Sequence, residues 1–310
     1  MRKLFPKGVR HLAAVLRDAP RIPLATLAAA LAQLRAPLPV LGETEGAIGS
    51  YTGVRGEHHF EMLARAEFSE EHFRQLTNAL LKPGDVAIDV GANVGTHTVH
   101  LAQLVSNGHV YAFEPQSLTH AILRANIVRN KLRNVTTFPF AASDTTGNVL
   151  AMHLPVASTF NSGIAAVSDG GKLGDKTITY RIDDLDIPPT RFIKIDVQGS
   201  ELRALQGAAA LIARDTPILF VELEEQHLKA LGTDTQQVME HLLGLDYVLF
   251  RVLTDYPCDH VCVPASEVDD FEAHILPKLA FETQKIAGRR VALRFEGRKP
   301  QNYADVSVIA

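Results

Sequence analysis

Residues 86–98 read Val-Ala-Ile-Asp-Val-Gly-Ala-Asn-Val-Gly-Thr-His-Thr, and an acid follows at Glu114. Val86 to Val90 is a short apolar run of the buried-strand kind that carries one acid, Asp89. Gly91-Ala92-Asn93-Val94-Gly95 is a tight turn that small residues permit, and Thr96 to Val105 has helical spacing. After the Asn107-Gly108 turn, His109 to Phe113 is a second strand, closed by Glu114-Pro115. Strand, glycine turn, helix, strand, acid is one half of a nucleotide-binding α/β fold. Glycine lets the backbone approach a ligand closely, and the turn opens onto a helix N-terminus. The acid closing the second strand can accept both hydroxyls of a ribose.

The spacing separates two ligand classes. A dinucleotide fingerprint is G-x-G-x-x-G, whose third glycine packs helix against strand. Here the pattern is Asp89-x-Gly91-x-Asn93-x-Gly95, the acid-led form of S-adenosylmethionine (SAM) sites, with Asn93 at the middle glycine. SAM carries an ammonium and a sulfonium and no phosphate, so an acid suits it and disfavours a pyrophosphate. The turn therefore nominates Asp89, Gly91, Ala92, Asn93, Gly95, Thr96, His97 and Glu114 as cofactor contacts. A nicotinamide-dependent oxidoreductase on a similar sheet is the alternative enzyme, and a catalytically inactive SAM-binding scaffold is the alternative without chemistry.

The chain has 310 residues, 46% of them hydrophobic, enough for one large domain with additions. Its net charge of −4 gives no argument for nucleic acid. Charge is uneven: residues 1–42 hold seven basic residues (Arg2, Lys3, Lys7, Arg10, Arg17, Arg21 and Arg35) and one acid, Asp18. That stretch is expected to be a basic helical arm, either packed on its own domain or contacting a membrane surface or partner. Cys258 and Cys262 make no disulfide framework, and the expected location is cytoplasmic. Nothing fixes an oligomeric state.

Further along, Gly42 to Arg55 reads as a loop, and His58 to Leu81 as one or two helices with Ser69 as N-cap. A helix over 117–131 leads to a third strand, Val135 to Phe140. Pro155 to Lys176 is a long polar loop containing Asn161-Ser162-Gly163, the candidate acceptor contacts. Arg191 to Val197 and Pro217 to Leu223 are the fourth and fifth strands, with a helix from Ser200 to about Ala213 between them. Thr233 to Gln236 reads as a capping box. Asp246 to Leu253 and His260 to Val263 can pair as an antiparallel hairpin. The expected organisation is an arm and loop over 1–57, a catalytic domain over 58–265, and a C-terminal helix and tail over 266–310. Alternating strands and helices imply a Rossmann-like, mostly parallel seven-stranded sheet, with ligands at the carboxyl ends of its strands.

Several segments together resemble the FkbM-type methyltransferases. They are residues 86–95, Val-Tyr-Ala-Phe-Glu-Pro at 110–115, Ala-Ala-Ser-Asp-Thr-Thr-Gly at 141–147 and Arg-Ile-Asp-Asp-Leu at 181–185. The most distinctive are Ile-Lys-Ile-Asp-Val-Gln-Gly-Ser-Glu-Leu at 193–202 and Leu-Gln-Gly-Ala at 205–208. The resemblance covers about 84–264. It implies a class I methyltransferase fold, SAM as cofactor and transfer to a hydroxyl of a sugar, glycan or secondary-metabolite acceptor. It adds Pro115, Ala142 and Ser143 to the cofactor side. The family often has Glu where this chain has Gln198, and an amide cannot act as a base.

Catalytic candidates stand at the strand ends. Asp196 closes the fourth strand and is expected both to reach the cofactor and to serve transfer. Lys194 lies two residues earlier on the same face and needs a carboxylate partner. Glu201 opens the next helix, Glu222 closes the fifth strand, and His227 is a candidate general base. Asp196, Glu222 and Glu224 form a candidate divalent-metal set, and the sequence leaves a metal open.

Overall fold

The short apolar runs at 86–90, 109–113, 192–195 and 218–222 are buried on both faces, as parallel strands covered by helices must be. The computed structural model describes residues 40–56, 58–65, 70–152, 167–168, 175–254, 258–287, 292–295 and 306–309. The basic arm, Ser69 and Asn161-Ser162-Gly163 lie outside the described residues. The chain runs through β1 (Leu41–Glu45), β2 (Ser50–Val54), α1 (His58–Ala64), α2 (Glu71–Leu80), β3 (Val86–Val90), α3 (Thr96–Leu104), β4 (His109–Phe113), α4 (Ser117–Arg129) and β5 (Val135–Phe138). Then come β6 (Phe140–Ala142), β7 (Val149–Met152), β8 (Val167–Ser168), β9 (Asp175–Tyr180), β10 (Phe192–Ile195), α5 (Glu201–Gly207), α6 (Ala209–Asp215) and β11 (Ile218–Glu222). The described chain closes with α7 (Glu225–Ala230), α8 (Thr235–Gly244), β12 (Tyr247–Leu253), β13 (Asp259–Pro264), α9 (Val268–His274) and β14 (Glu282–Ala287), followed by the paired β15 (Ala292–Phe295) and β16 (Val306–Ile309).

The main sheet has the order β14-β12-β13-β11-β10-β3-β4-β5. Strands β3, β4, β5, β10 and β11 are parallel, and β12, β13 and β14 are antiparallel. The seven expected strands and the terminal hairpin are present, and β14 adds an eighth from the segment expected to be helix and tail. The chain moves outward from β3 to β5 and restarts at β10 on the other side of β3. That reversal opens a crevice at the carboxyl ends of β3 and β10, where ligands of such sheets bind.

Alternation along each strand builds two cores. Ile88 and Val90 of β3 with Ile193 and Ile195 of β10 pack under α5, α6 and α8. Ala87 and Phe192 join Phe73, Leu76 and Leu101 beneath α2 and α3 on the other face. Asp89 and Lys194 point to that second face, and they are ladder partners. No described helix is long and apolar enough to cross a membrane.

Five local expectations are corrected. Residues 41–54 form the β1–β2 hairpin rather than a loop; Gly42 and Gly53 hid the strand signal, and both sit against the Phe60 ring. The third strand breaks at Pro139, which has no N–H for the ladder, and Phe140 to Ala142 pass into a second sheet of order β6-β9-β7-β8. The helix after Ser200 is two helices divided at Ala208. The capping box is Asp234 with Gln237, one residue later than read, and Glu70 is the N-cap residue of α2.

The hairpin is fastened to α4 by two asparagines. Asn126 Oδ1 accepts from Thr52 N–H at 2.6 Å, and its Nδ2 donates to Thr52 O at 3.0 Å and Val94 O at 2.8 Å. Asn130 repeats the pattern on Ser50 at 2.9 and 2.7 Å. Asn126 is fully buried, so its removal strands backbone groups on both sides. Asn126→Ala should lower stability by roughly 2–4 kcal/mol, since each buried polar group left unpaired costs about 1–3 kcal/mol. Urea melts measure the loss, and hydrogen exchange should accelerate at residues 50–54 before the main sheet opens.

Candidate functional site

The turn after β3 exists because nothing but glycine fits its first position. Gly91 has φ +83°, and a Cβ there would lie 1.8 Å from the carbonyl oxygen of Asp196. The backbones leaving β3 and β10 therefore touch. The amides of Gly91 and Ala92 donate to Phe113 O at 3.0 and 2.9 Å, tying the turn to β4. Asn93 takes φ +49°, a left-handed conformation that asparagine tolerates, and its amide donates to Glu114 Oε2 at 2.9 Å. The other oxygen of Glu114 accepts from Gln116 N–H at 2.9 Å. Burial pushes the Glu114 carboxyl up to about 7, against the downward pull of these two amides.

Lys194 lies beneath the turn, 2% exposed. Its Nζ donates to Gly91 O at 3.1 Å and lies 3.5 Å from Asp89 Oδ1 and 3.3 Å from Asp196 Oδ2. Asp89 also accepts from Thr98 Oγ1 at 2.6 Å. Burial works against the lysine's charge, but Asp196, Asp89 and Glu70 outweigh it and hold its pKa above the usual range. Burial likewise works against ionising Asp196, and the Lys194 charge overrides it, so Asp196 sits well below the usual carboxylate range.

Past Asp196 the chain makes a second constrained turn. Gln198 has φ +53°, and a Cβ on Gly199 (φ +103°) would meet His227 O at 2.3 Å. Glu201 Oε1 accepts from the Val197 and Gly199 amides at 3.1 and 3.0 Å and closes this turn. The turn aims Gln198 Nε2 at two carboxylates, donating to Asp196 Oδ1 at 3.0 Å and Glu222 Oε2 at 2.9 Å. Burial, then the negative charge of Asp196, raises Glu222 well above its ordinary value. The paired acids thus diverge, one held ionised and the other held toward its neutral form.

These groups border a cleft with about 720 Å³ of empty space, mouth included, within the size range of small-molecule sites, roughly 300–1,000 Å³. Gly91, Asn93, Glu114 and Pro115 line one end, Asp196, Gln198, Ser200 and Arg203 another. The second sheet supplies a wall of Phe140, Ala142, Ser143, Leu150 and Met152.

The structure brings together Gly91, Asn93, Glu114, Pro115, Ala142, Ser143 and Asp196 as expected lining residues. It does not bring the others to the cleft. Asp89 is fully buried and braces Lys194. Ala92 and Gly95 shape the turn without lining the cleft, as Thr96 opens α3. His97 faces Glu70 at 3.3 Å and packs on the Phe73 ring. Glu201 is a buried clamp, Glu222 stands behind Asp196, and His227 Nδ1 is turned to Glu224 at 3.0 Å. Among the described residues, the ligand atoms of the expected Asp196–Glu222–Glu224 set do not converge on one point. Among the described residues, the ligand atoms that do converge belong to Glu70, His72 and Asp259. Sequence reading missed them because His72 and Asp259 stand 187 positions apart. It also missed Arg203, which stands one turn after Ser200, the N-cap residue of α5, and lines the cleft with it.

The Methyltransferase FkbM domain family matches residues 89–249 of the chain. The hexuronic acid methyltransferase AglP of Haloferax volcanii is 31% identical over 125 residues, 40% of this chain and 49% of that protein. The 31-O-demethyl-FK506 methyltransferase FkbM of Streptomyces tacrolimicus is 49% identical over 53 residues, 17% of this chain and 20% of its own length. The chain thus spans half or less of the curated relatives it matches. A crystal structure of methyltransferase FkbM from Methylobacillus flagellatus KT superposes with TM-score 0.43 and 21% identity, covering 59% of this chain and 44% of that one.

The bridging amide makes a sharp prediction. Gln198→Glu removes both donated hydrogen bonds and sets a third carboxylate between Asp196 and Glu222. The new carboxyl lies between Glu222 and an Asp196 that Lys194 keeps ionised, so its pKa in the folded state rises above the unfolded value of about 4.3. The variant should stay close to wild-type stability below that value and lose stability as pH rises from it to the raised value, by roughly 2–4 kcal/mol at pH 8. Paired denaturant melts at pH 5 and pH 8 check this, and a pH-independent difference would contradict the bridge.

Proposed function

The chain belongs to the FkbM methyltransferase family, and we propose that it is a SAM-dependent O-methyltransferase acting on a hydroxyl of a sugar, glycan or secondary-metabolite acceptor. The observation that carries this reading is the cleft itself. A glycine turn and a strand-end acid stand at one end, and an ionised Asp196 stands at the carboxyl end of the neighbouring strand. The residues fit the cofactor. Glu114 keeps lone pairs free beside its two amide contacts to take ribose hydroxyls. The Gly91 turn admits a ligand close to backbone, and Ala142 and Ser143 beside Phe140 offer a flat, mostly apolar edge for a base.

Bound SAM supplies the electrophilic methyl group. The chain's contribution is alignment, which can be worth roughly 7–11 kcal/mol. Asp196, fixed by Lys194 and Gln198, orients a hydroxyl or an ammonium by accepting a hydrogen bond. Its low pKa makes it a weak proton acceptor, so its role is orientation and charge. Glu222, raised by burial and by Asp196, is better matched to holding a proton and communicates with the cleft through Gln198. The relatives named as a hexuronic acid methyltransferase and a 31-O-demethyl-FK506 methyltransferase support an oxygen acceptor. Radiolabelled SAM incubated with the protein and fractionated cell extract, with mass analysis of the labelled product, tests the reading. A labelled glycan or small-molecule ether is expected; label confined to protein or nucleic acid, or none at all, would overturn it.

Two variants test the residues. Asp196→Asn keeps shape and removes charge, and it should bind SAM while losing about a hundredfold or more in kcat. Full turnover in that variant would contradict its role. Glu114 binds ribose hydroxyls best when ionised, so affinity should improve as pH rises through about 7. From pH 6 to pH 8 the gain should be roughly tenfold. Glu114→Gln should bind weakly and without that pH dependence. Calorimetric titration with S-adenosylhomocysteine measures both, and a pH-flat wild type would count against Glu114.

A further inference from the structure

A second polar cluster, outside the cleft lining, sits where α2 and β13 meet the end of β11. Glu70, His72 and Asp259 each offer one ligand atom to a common space, and these atoms all lie within 4.8 Å of one another. Ligands on opposite sides of an ion, each at about 2.0–2.4 Å, are separated by about that distance. We propose that Glu70, His72 and Asp259 form a site for one divalent first-row transition-metal ion.

Each ligand is preset for the task. His72 Nε2 lies 2.7 Å from Asp259 Oδ2, so two of the ligand atoms already face one another. The imidazole is stacked on Phe220 at 5.9 Å and set edge-on to Phe281 at 5.9 Å, which fixes the ring plane. Glu70 stands at the N-cap of α2, yet its side chain makes no capping hydrogen bond. Its carboxylate is turned instead to His97 at 3.3 Å and to the cluster.

Charge supplies a separate reason. Asp259 is the ladder partner of Glu222, so Glu70, Asp259, Glu222 and Asp196 crowd one edge of the sheet. Lys194 is shared among Gly91, Asp89 and Asp196 and is the lysine or arginine that ion-pairs within this group among the described residues. Asp259 is withdrawn from water and lies in the field of the partly exposed Glu70 and Asp196, and a doubly charged ion would offset that combined charge. One imidazole with two carboxylates suits Zn²⁺ or Mn²⁺ better than Ca²⁺, which takes six to eight oxygens. The site does not depend on the transfer reaction proposed above.

The test uses the untagged full chain, stripped with EDTA and dialysed, and titrated with Zn²⁺, Mn²⁺ and Ca²⁺ by calorimetry while melting is followed in parallel. One ion should bind per chain and raise the melting temperature. Asp259→Asn and His72→Gln should weaken binding at least tenfold. Glu70→Gln, at a helix end, serves if either buried change prevents folding. Absence of binding at millimolar Zn²⁺ and Mn²⁺, or undiminished binding in every folded variant, overturns the site. Tighter binding of Ca²⁺ than of either overturns the transition-metal assignment.

Discussion

The arrangement at the strand ends depends on one buried ammonium. Lys194 is surrounded by Gly91 O, Asp89 and Asp196 at 3.1, 3.5 and 3.3 Å. A lysine withdrawn from water is strongly destabilising unless its charge and its three donors are satisfied. Meeting that requirement ties β3, β10 and the glycine turn into one rigid piece. It also explains why an acid stands inside an apolar strand. Asp89 is there for the lysine, and the lysine is there to hold the turn and to keep Asp196 ionised.

From this node follows a division of labour among acids that look alike in sequence. Asp196 is stabilised as an anion at the cleft. Glu222, one strand over and nearly as buried, carries the cost of that anion and is pushed toward its neutral form. Gln198 keeps the two compatible by donating to both. The Gln198 amide satisfies two carboxylates and adds no third charge. The position is thereby a structural mediator rather than a proton acceptor. Glu201 fixes the turn that makes the mediation possible.

Much of this is legible in the sequence. Apolar runs of strand length, the glycine turn and the acid after the second strand locate the crevice, because spacing along one chain constrains them. Glu114, Gly91, Asn93 and Asp196 arrive at the cleft as spacing implies. What spacing does not encode is which way a side chain of known position turns. Asp89 and His97 stand beside the turn in sequence but point into the second core, since strand alternation and the Phe73 ring claim them. Contacts between distant segments are equally silent: the asparagine clasp on β2 spans 74 positions and the His72–Asp259 pair 187. The departure of the chain at Pro139 into a second sheet was readable in principle, from the missing N–H, but only once the neighbouring ladder was known.

In the proposed function the cleft holds SAM with its ribose at Glu114 and its sulfur toward Asp196. A crystal structure of the full chain with S-adenosylhomocysteine decides this. Ribose hydroxyls are expected within hydrogen-bond distance of Glu114, the adenine against Ala142 and Ser143, and the thioether sulfur facing Asp196. A ligand bound elsewhere, or with its ribose away from Glu114, would contradict it.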